Sequence, residues 1–167
     1  MTTSLTVKTL SYKESKSYTL AFAFIAANVI LPQLFHLLNF GGAAFLPILL
    51  FTLVAAATYG MTAGIVTAIF SPIISAALFG MPTPEMTTIL ISKGLTLALV
   101  LGYTANKFSK ISIFSIVVAI AAYQIVGFVV STAIFDMKFA TDAMLISYPG
   151  VIMQLIGGYF LVKVISK

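Results

Sequence analysis

The sequence predicts an all-α integral membrane protein: a compact bundle of six transmembrane helices with both termini in the cytoplasm. Of the 167 residues, 60% are hydrophobic and only 8% are charged, whereas a soluble domain carries roughly 25% charged residues. A water-soluble core of this length cannot hide so much apolar surface, so lipid must cover it. A further observation is that the lysines fall in alternate loops.

Six apolar segments follow one another, each bounded by charges, Pro or Gly. A helix needs about 20 residues to cross the ~30 Å hydrocarbon layer, so the short second segment could instead be a tilted partner of the third. We divide the chain into a cytoplasmic tail, residues 1–17, with an amphipathic turn around Leu5 to Leu10, and one transmembrane domain, residues 18–167. The segments are Tyr18–Phe35, Gly42–Ala57, Met61–Phe79, Met86–Ala105, Ile111–Phe135 and Ala143–Ile165.

Lysine placement predicts the orientation of these spans. With six spans, seven of the nine lysines fall on one side, which the positive-inside rule makes cytoplasmic. Five or seven spans would split the lysines between the two sides. The opposite loops hold Glu85, Asp136, Lys138 and Asp142. The seven lysines are Lys8, Lys13, Lys16, Lys107, Lys110, Lys163 and Lys167.

Composition also excludes several classes of function. The chain has no cysteine, which excludes disulfides, thiol catalysis and thiolate metal sites, and one histidine cannot form a multi-histidine metal site. The lysines flank apolar spans and do not cluster on a polar face, which argues against nucleic acid. No catalytic or phosphate-binding motif is present. We therefore expect no enzymatic activity, no cofactor and no metal.

Lys93 and Glu85 are charges in unusual places. Lys93 lies about 10 Å inside the fourth span if that helix begins at Met86. It could snorkel to water, but an ion inside the membrane is by default a functional hypothesis, and a lysine here suits an anionic or carbonyl-bearing ligand. Glu85 is about 12 Å away along the helix. The two residues could hold opposite ends of a small polar molecule or each bond to other helices.

Polar and small residues at helical spacing on the fifth and sixth segments predict a shared polar cavity near Lys93. The alternative is that each glutamine only makes an interhelical hydrogen bond. The two stripes are Gln124, Gly127 and Ser131, and Gly150, Gln154 and Gly157. The candidate substrate-binding residues are His36, Asn39, Glu85, Lys93, Tyr123, Gln124, Tyr148 and Gln154.

The outer loops and the small residues carry two further signals. Residues 32–42 and 79–86 combine Gly or Pro with aromatic or apolar residues. Such loops can cover a pocket, or can simply end helices with Phe and His in the interfacial belt. Ala23 and Ala27 in the first span, and Gly60 and Gly64 before and within the third, are small residues four apart, which let another helix approach closely.

In these features the chain resembles the substrate-binding S components of energy-coupling factor (ECF) vitamin transporters. The resemblance covers nearly the whole chain. It rests on six short spans, internal termini, Ala23-x-x-x-Ala27 and a Pro/Gly-rich outer lid. The matching stretches are Pro32-Gln33-Leu34-Phe35-His36, Phe45-Leu46-Pro47, Tyr59-Gly60-Met61-Thr62-Ala63-Gly64, Ser71-Pro72 and Gly80-Met81-Pro82.

The resemblance implies a multi-pass protein of the bacterial plasma membrane that binds a vitamin or related micronutrient near the outer surface. It implies partners as well: Ala23 and Ala27 would face a transmembrane coupling subunit driven by two cytoplasmic ATPases. The lid would be His36–Gly42 and Met81–Glu85. Because the chain has no Trp, ring stacking would come from Phe35, Phe40, Tyr123 or Tyr148, and His36 could ligate the metal of a porphyrin or corrinoid.

Two other functions remain open at this point. A small self-sufficient transporter or channel that works as an oligomer would need a continuous polar path, and the cytoplasmic halves of the spans offer few polar residues. A scaffold or assembly subunit without a ligand would have an outer half filled by its own side chains.

Overall fold

The computed structural model describes residues 4–7, 9–37 and 47–166, with the backbone alone for residues 4, 34–37 and 47. Most of this part of the chain is helical, which confirms the all-α class, and it also contains one two-stranded antiparallel ribbon. The helices are α1 (Ser15–Leu37), α2 (Pro47–Tyr59), α3 (Met61–Phe79), α4 (Pro84–Phe108), α5 (Ile113–Ile134), α6 (Met137–Ile146) and α7 (Tyr148–Ile165), and the strands are β1 (Ser4–Thr6) and β2 (Lys110–Ser112).

Four of the described helices, α3, α4, α5 and α7, are long and apolar enough to cross a membrane. The α2 helix is apolar but has 13 residues, about 20 Å at 1.5 Å per residue. That is shorter than the ~30 Å hydrocarbon layer. Length and composition therefore support a multi-span membrane protein, and a total of six spans stays a prediction.

Large apolar side chains cover the outside of the helices. Phe22, Leu78, Ile125, Ile156 and Phe160 are between 62% and 70% exposed. These residues belong to four different helices, and soluble monomers rarely expose so much contiguous apolar surface. Contact with lipid explains the composition, because hydrocarbon chains cover this surface without the cost of exposing it to water.

The predicted sixth segment, Ala143–Ile165, corresponds to the candidate span α7, but its predicted start was wrong, because residues 143–146 form the last turn of a separate short helix, α6. The Asp136 carboxylate accepts a hydrogen bond from the Phe139 N–H at 2.6 Å and caps the start of α6. α6 ends at Ile146, and Pro149 falls in the first turn of α7, where its missing N–H needs no partner. Composition alone could not separate the two helices, because the last turn of α6 is as apolar as the residues of α7.

Small residues allow α3 and α4 to pack closely. A Cβ placed on Gly64 would lie 2.6 Å from the Cβ of Ala56 and 3.0 Å from the Cβ of Ala98. A Cβ on Gly102 would lie 2.4 Å from the Cα of Met61. Gly64, one of the predicted small pair, therefore serves packing within this chain. This close contact fixes α4, which carries Lys93.

The N-terminal segment packs against one end of the bundle. β1 pairs with β2, the Val7 N–H donates to the Ser109 carbonyl at 3.0 Å, and the Leu10 N–H donates to the Tyr59 carbonyl at 3.0 Å. Val7 and Leu10 are buried, so a strand and an extended segment stand where we predicted an amphipathic turn. α5 leaves this end and α7 returns to it after α6. The described lysines at this end are Lys13, Lys16, Lys107, Lys110 and Lys163.

Candidate binding site between α4, α5 and α7

The candidate site is built on the α4 residue Lys93. Lys93 follows Pro84, the first residue of α4, by nine positions, which is about 14 Å along the helix axis, and it precedes Phe108 by about 22 Å. It therefore lies in the half of the bundle that is farther from the lysine-rich end. Because α4 begins at Pro84 and not at Met86, this distance from the start of the helix is longer than the predicted value of about 10 Å by less than one helical turn.

The Lys93 side chain points into the bundle toward α5. Only 7% of the residue is exposed, and its Nζ donates a hydrogen bond to Gln124 Oε1 at 3.3 Å. The same Nζ lies 6.0 Å from the centre of the Tyr123 ring, at the outer limit of a cation–π contact. A lysine that snorkels would run along its own helix to the membrane surface, and Lys93 does not.

Gly127 makes room for this lysine. A Cβ on Gly127 would lie 1.9 Å from the Lys93 Cε, 2.8 Å from its Cγ and 2.9 Å from its Cδ. The whole aliphatic stem therefore passes over the bare backbone of α5 at this position. Sequence reasoning placed Gly127 on the correct stripe but did not include it among the site residues, because a missing side chain gives no chemical signal.

Tyr123 and Gln154 connect α5 to α7. The Tyr123 hydroxyl donates to Gln154 Oε1 at 2.7 Å, and both residues are fully buried. The predicted convergence of Lys93, Tyr123, Gln124 and Gln154 on one region is thus present in the structure. The interhelical hydrogen bond that we weighed as the alternative is also present, so each glutamine bridges two helices.

The small residues of α7 differ by one position from the predicted stripe. Gly150, Gln154 and Gly158 are buried at steps of four, whereas a Cβ on Gly157 would meet nothing within 4 Å. A Cβ on Gly158 would lie 2.9 Å from the Leu53 Cδ2. Gly158, in place of the predicted Gly157, therefore allows α7 to approach α2.

Two predicted site residues lie apart from this cluster. Glu85 is exposed in the first turn of α4, where the helix dipole favours a carboxylate. Tyr148 is 65% exposed at the start of α7, a position typical of interfacial tyrosines. The idea that Glu85 and Lys93 share one small ligand has no support in these positions.

Other predictions fall on parts of the chain whose side chains lie outside the described residues. They are His36, Phe35, Asn39 and Phe40, together with most of the first lid segment, His36–Gly42. In the second lid segment, Met81–Glu85, Met81 is 60% exposed, and its carbonyl accepts a hydrogen bond from Ser75 Oγ at 2.9 Å.

The predicted partner-facing pair lies on the outside of α1. Ala23 is exposed and Ala27 is partly exposed, whereas Ala21, Ile25 and Asn28 on the same helix are buried. Among the described residues, Ala23 is therefore not part of the interior, and Ala27 is only partly covered, unlike Gly64, which makes a close contact. The two alanines leave a shallow strip on the α1 surface.

Asn28 forms a second buried polar cluster that sequence reasoning missed. Its Nδ2 donates to Thr52 Oγ1 at 3.1 Å and to Ser71 Oγ at 3.0 Å, and its Oδ1 accepts from the Phe51 N–H at 3.2 Å. One asparagine thus joins α1, α2 and α3. The available signal was a single amide in an apolar run of α1, which marks an interhelical hydrogen bond.

The charge of Lys93 has no partner of opposite sign in the described chain. All four acidic residues, Glu14, Glu85, Asp136 and Asp142, are exposed, and among the described residues the only side-chain hydrogen bond of Lys93 is to the neutral Gln124. Among the described residues no group of three His, Asp or Glu side chains could hold a metal ion. The arrangement is suited to hydrogen bonding and charge recognition.

The sequence matches no protein-family profile and no curated protein, and the fold matches no solved structure.

Proposed function

We propose that this chain is the substrate-binding S component of an ECF-type importer. In this role it binds a vitamin or related micronutrient at the outer face of the bacterial plasma membrane and delivers it inward with a transmembrane coupling subunit and two cytoplasmic ATPases. The observation that carries the proposal is a polar cluster inside an otherwise apolar bundle, in which Lys93, Tyr123 and Gln154 are buried and Gln124 is partly buried.

A binding role explains why so polar a cluster is kept inside the bundle. A lysine at the centre of a membrane helix costs roughly 3 kcal/mol or more, and aliphatic side chains would fill the same space at no such cost. Ion and substrate sites are where membrane proteins keep charges of this kind. The cost is offset if the cluster recognises a ligand.

The lysine-rich end gives the orientation of the site. Lys13, Lys16, Lys107, Lys110 and Lys163 lie at one end of the described chain, and the positive-inside rule assigns that end to the cytoplasm. Lys93 is then in the outer half of the bundle. A ligand arriving from outside would reach it without crossing the cytoplasmic half.

The exposed strip of α1 supports the proposed coupling partner. Ala23 is exposed and Ala27 is partly exposed, and small residues four apart allow a second helix to approach closely in a membrane. The fixed contacts of α1 with α2 and α3 through Asn28 would keep this strip in place while a partner helix docks.

Native mass spectrometry of the protein, purified gently from cells grown in rich medium, tests the proposal. We expect a bound small molecule at one copy per chain, released when the protein is unfolded. A chain that carries no small molecule would contradict the proposal. Uptake into liposomes that contain this chain and no ATPase would instead favour a self-sufficient oligomeric transporter or channel.

A further inference from the structure

We infer that the ligand of this site is a singly charged organic anion, a monocarboxylate, whose charged group pairs with Lys93. This inference rests on the proposed function, because it assumes that the site is a binding site. It adds the charge and the chemical class of the ligand. The argument depends on the hydrogen-bond donors around Lys93 and on the location of the acidic residues.

The first step concerns donors that have no acceptor. A lysine ammonium has three N–H donors, and Lys93 has one acceptor among the described residues, Gln124 Oε1. The Gln124 side-chain NH₂ supplies two more donors and has no acceptor in the same part of the chain. Lys93 and Gln124 therefore present several unused donors side by side, with one acceptor already occupied.

The second step concerns charge. All four acidic side chains of the protein are exposed, and none of them pairs with Lys93 in the described chain. A buried cation is kept only when it is paired or otherwise compensated. Because no carboxylate of the chain supplies the negative charge, a bound anion is the partner that this site lacks.

The third step concerns the number of negative charges on the ligand. The cluster holds one cationic side chain, and the protein contains no arginine to form the two-pronged contact that phosphate groups favour. A dianionic phosphate would leave one negative charge uncompensated inside the bundle. A carboxylate carries one charge, and its two oxygens can accept from Lys93 Nζ and from the adjacent Gln124 amide.

The experiment extracts and identifies the compound carried by the wild-type protein and by two variants grown in the same rich medium. Lys93→Gln removes the buried cation. Lys107→Gln is the matched control, because Lys107 lies on the same helix but is exposed at the opposite end. Liquid chromatography with mass spectrometry gives the identity of the compound and the moles carried per mole of protein.

We expect the wild-type protein and Lys107→Gln to carry the same monocarboxylic acid. Lys93→Gln should carry far less of that acid per mole of protein, since truncating one member of a buried charge pair weakens binding by about 30-fold or more. An acid that Lys93→Gln retains as well as the wild type would overturn the inference.

The wild-type extraction decides the question even if Lys93→Gln does not fold. A carried compound without an acidic group would overturn the inference and leave the proposed function standing. A wild-type protein that carries nothing would contradict the proposed function itself, and the inference with it.

Discussion

The aliphatic stem of Lys93 occupies the space in which a side chain at position 127 would begin. A Cβ on Gly127 would lie 1.9 Å from the Lys93 Cε, a distance that two carbon atoms cannot reach without a bond. The direction of the Lys93 ammonium, and hence its hydrogen bond to Gln124, therefore depends on a glycine on the neighbouring helix.

Gly127→Ala is expected to displace Lys93 and abolish ligand binding. The added methyl group overlaps three consecutive carbons of the lysine stem, so the side chain must adopt another rotamer and lose its bond to Gln124. Overpacking of this kind typically destabilises a protein by about 1–3 kcal/mol. Thermal unfolding in detergent measures the stability, and the amount of carried compound measures the binding.

Gly157→Ala is the control for this substitution. A Cβ on Gly157 would meet nothing within 4 Å, and alanine favours a helix by roughly 1 kcal/mol over glycine. We expect unchanged binding and an equal or higher melting temperature. If Gly127→Ala behaved like Gly157→Ala, the close contact between Lys93 and Gly127 would not be needed for ligand binding.

Tyr123→Phe should destabilise the protein, and Tyr148→Phe should not. The Tyr123 hydroxyl donates to a buried glutamine oxygen at 2.7 Å, and interhelical hydrogen bonds in membranes contribute about 0.6 kcal/mol on average and up to about 1.7 kcal/mol. Tyr148 is 65% exposed, so its hydroxyl has no comparable role. The measurement is the midpoint of denaturant-induced unfolding in mixed micelles.

The Tyr148→Phe variant also tests an interpretation of the sequence. We predicted Tyr148 as a site residue because it lies near the outer end of the sixth segment and could stack on a ligand, and the structure places it at the exposed start of α7. Reduced ligand binding in Tyr148→Phe with normal stability would show that the outer end of α7 belongs to the site after all.

The features that the sequence predicted well are those set by helical periodicity. Lys93, Gln124 and Gln154 are polar residues in apolar runs, and a polar residue at that depth must point toward other helices. Their convergence follows once the order and direction of the helices are known. The same reasoning applies to Asn28, which is also a single polar residue in an apolar run but carries no charge and lies outside the outer loops.

The features that the sequence could not predict depend on contacts between distant segments. The pairing of β1 with β2 joins residues 4–6 to residues 110–112, and nothing local in either triplet marks it. The choice of Gly158 over Gly157 on α7 depends on where Leu53 lies. The break between α6 and α7 was obscured because apolar composition is continuous across it.

Asn28→Leu is expected to loosen the packing of α1 against α2 and α3. Leucine has the same number and branching of side-chain heavy atoms as asparagine but cannot bond to Thr52, Ser71 or the Phe51 N–H. The loss of three hydrogen bonds should destabilise the protein by about 1–3 kcal/mol. Thermal unfolding should detect this as a clear fall in melting temperature.

Thr88→Val is the matched control for Asn28→Leu, because Thr88 is exposed and its hydroxyl bonds only to the Pro84 carbonyl of its own helix. It should change stability by less than about 0.5 kcal/mol. Equal effects of the two variants would mean that the Asn28 cluster contributes nothing beyond an ordinary polar contact.

Leucine at both Ala23 and Ala27 should block assembly with the coupling subunit and leave ligand binding intact. Ala23 is exposed and Ala27 is partly exposed on α1, so we expect leucine at these positions to extend mainly into lipid and to disturb the bundle little. They would, however, hold a partner helix away, because close approach requires small residues. Co-purification with the coupling subunit and ATPases, together with the carried compound, gives the two measurements.

Ala21→Leu separates this effect from misfolding. Ala21 lies on the same helix but is fully buried, so leucine there must overpack the interior and destabilise the protein by about 1–3 kcal/mol. We expect Ala21→Leu to lose stability and ligand together, and the outward pair to lose only the partner. If the outward pair assembled normally, the strip on α1 would be a lipid-facing surface, and the coupling partner would have to dock elsewhere.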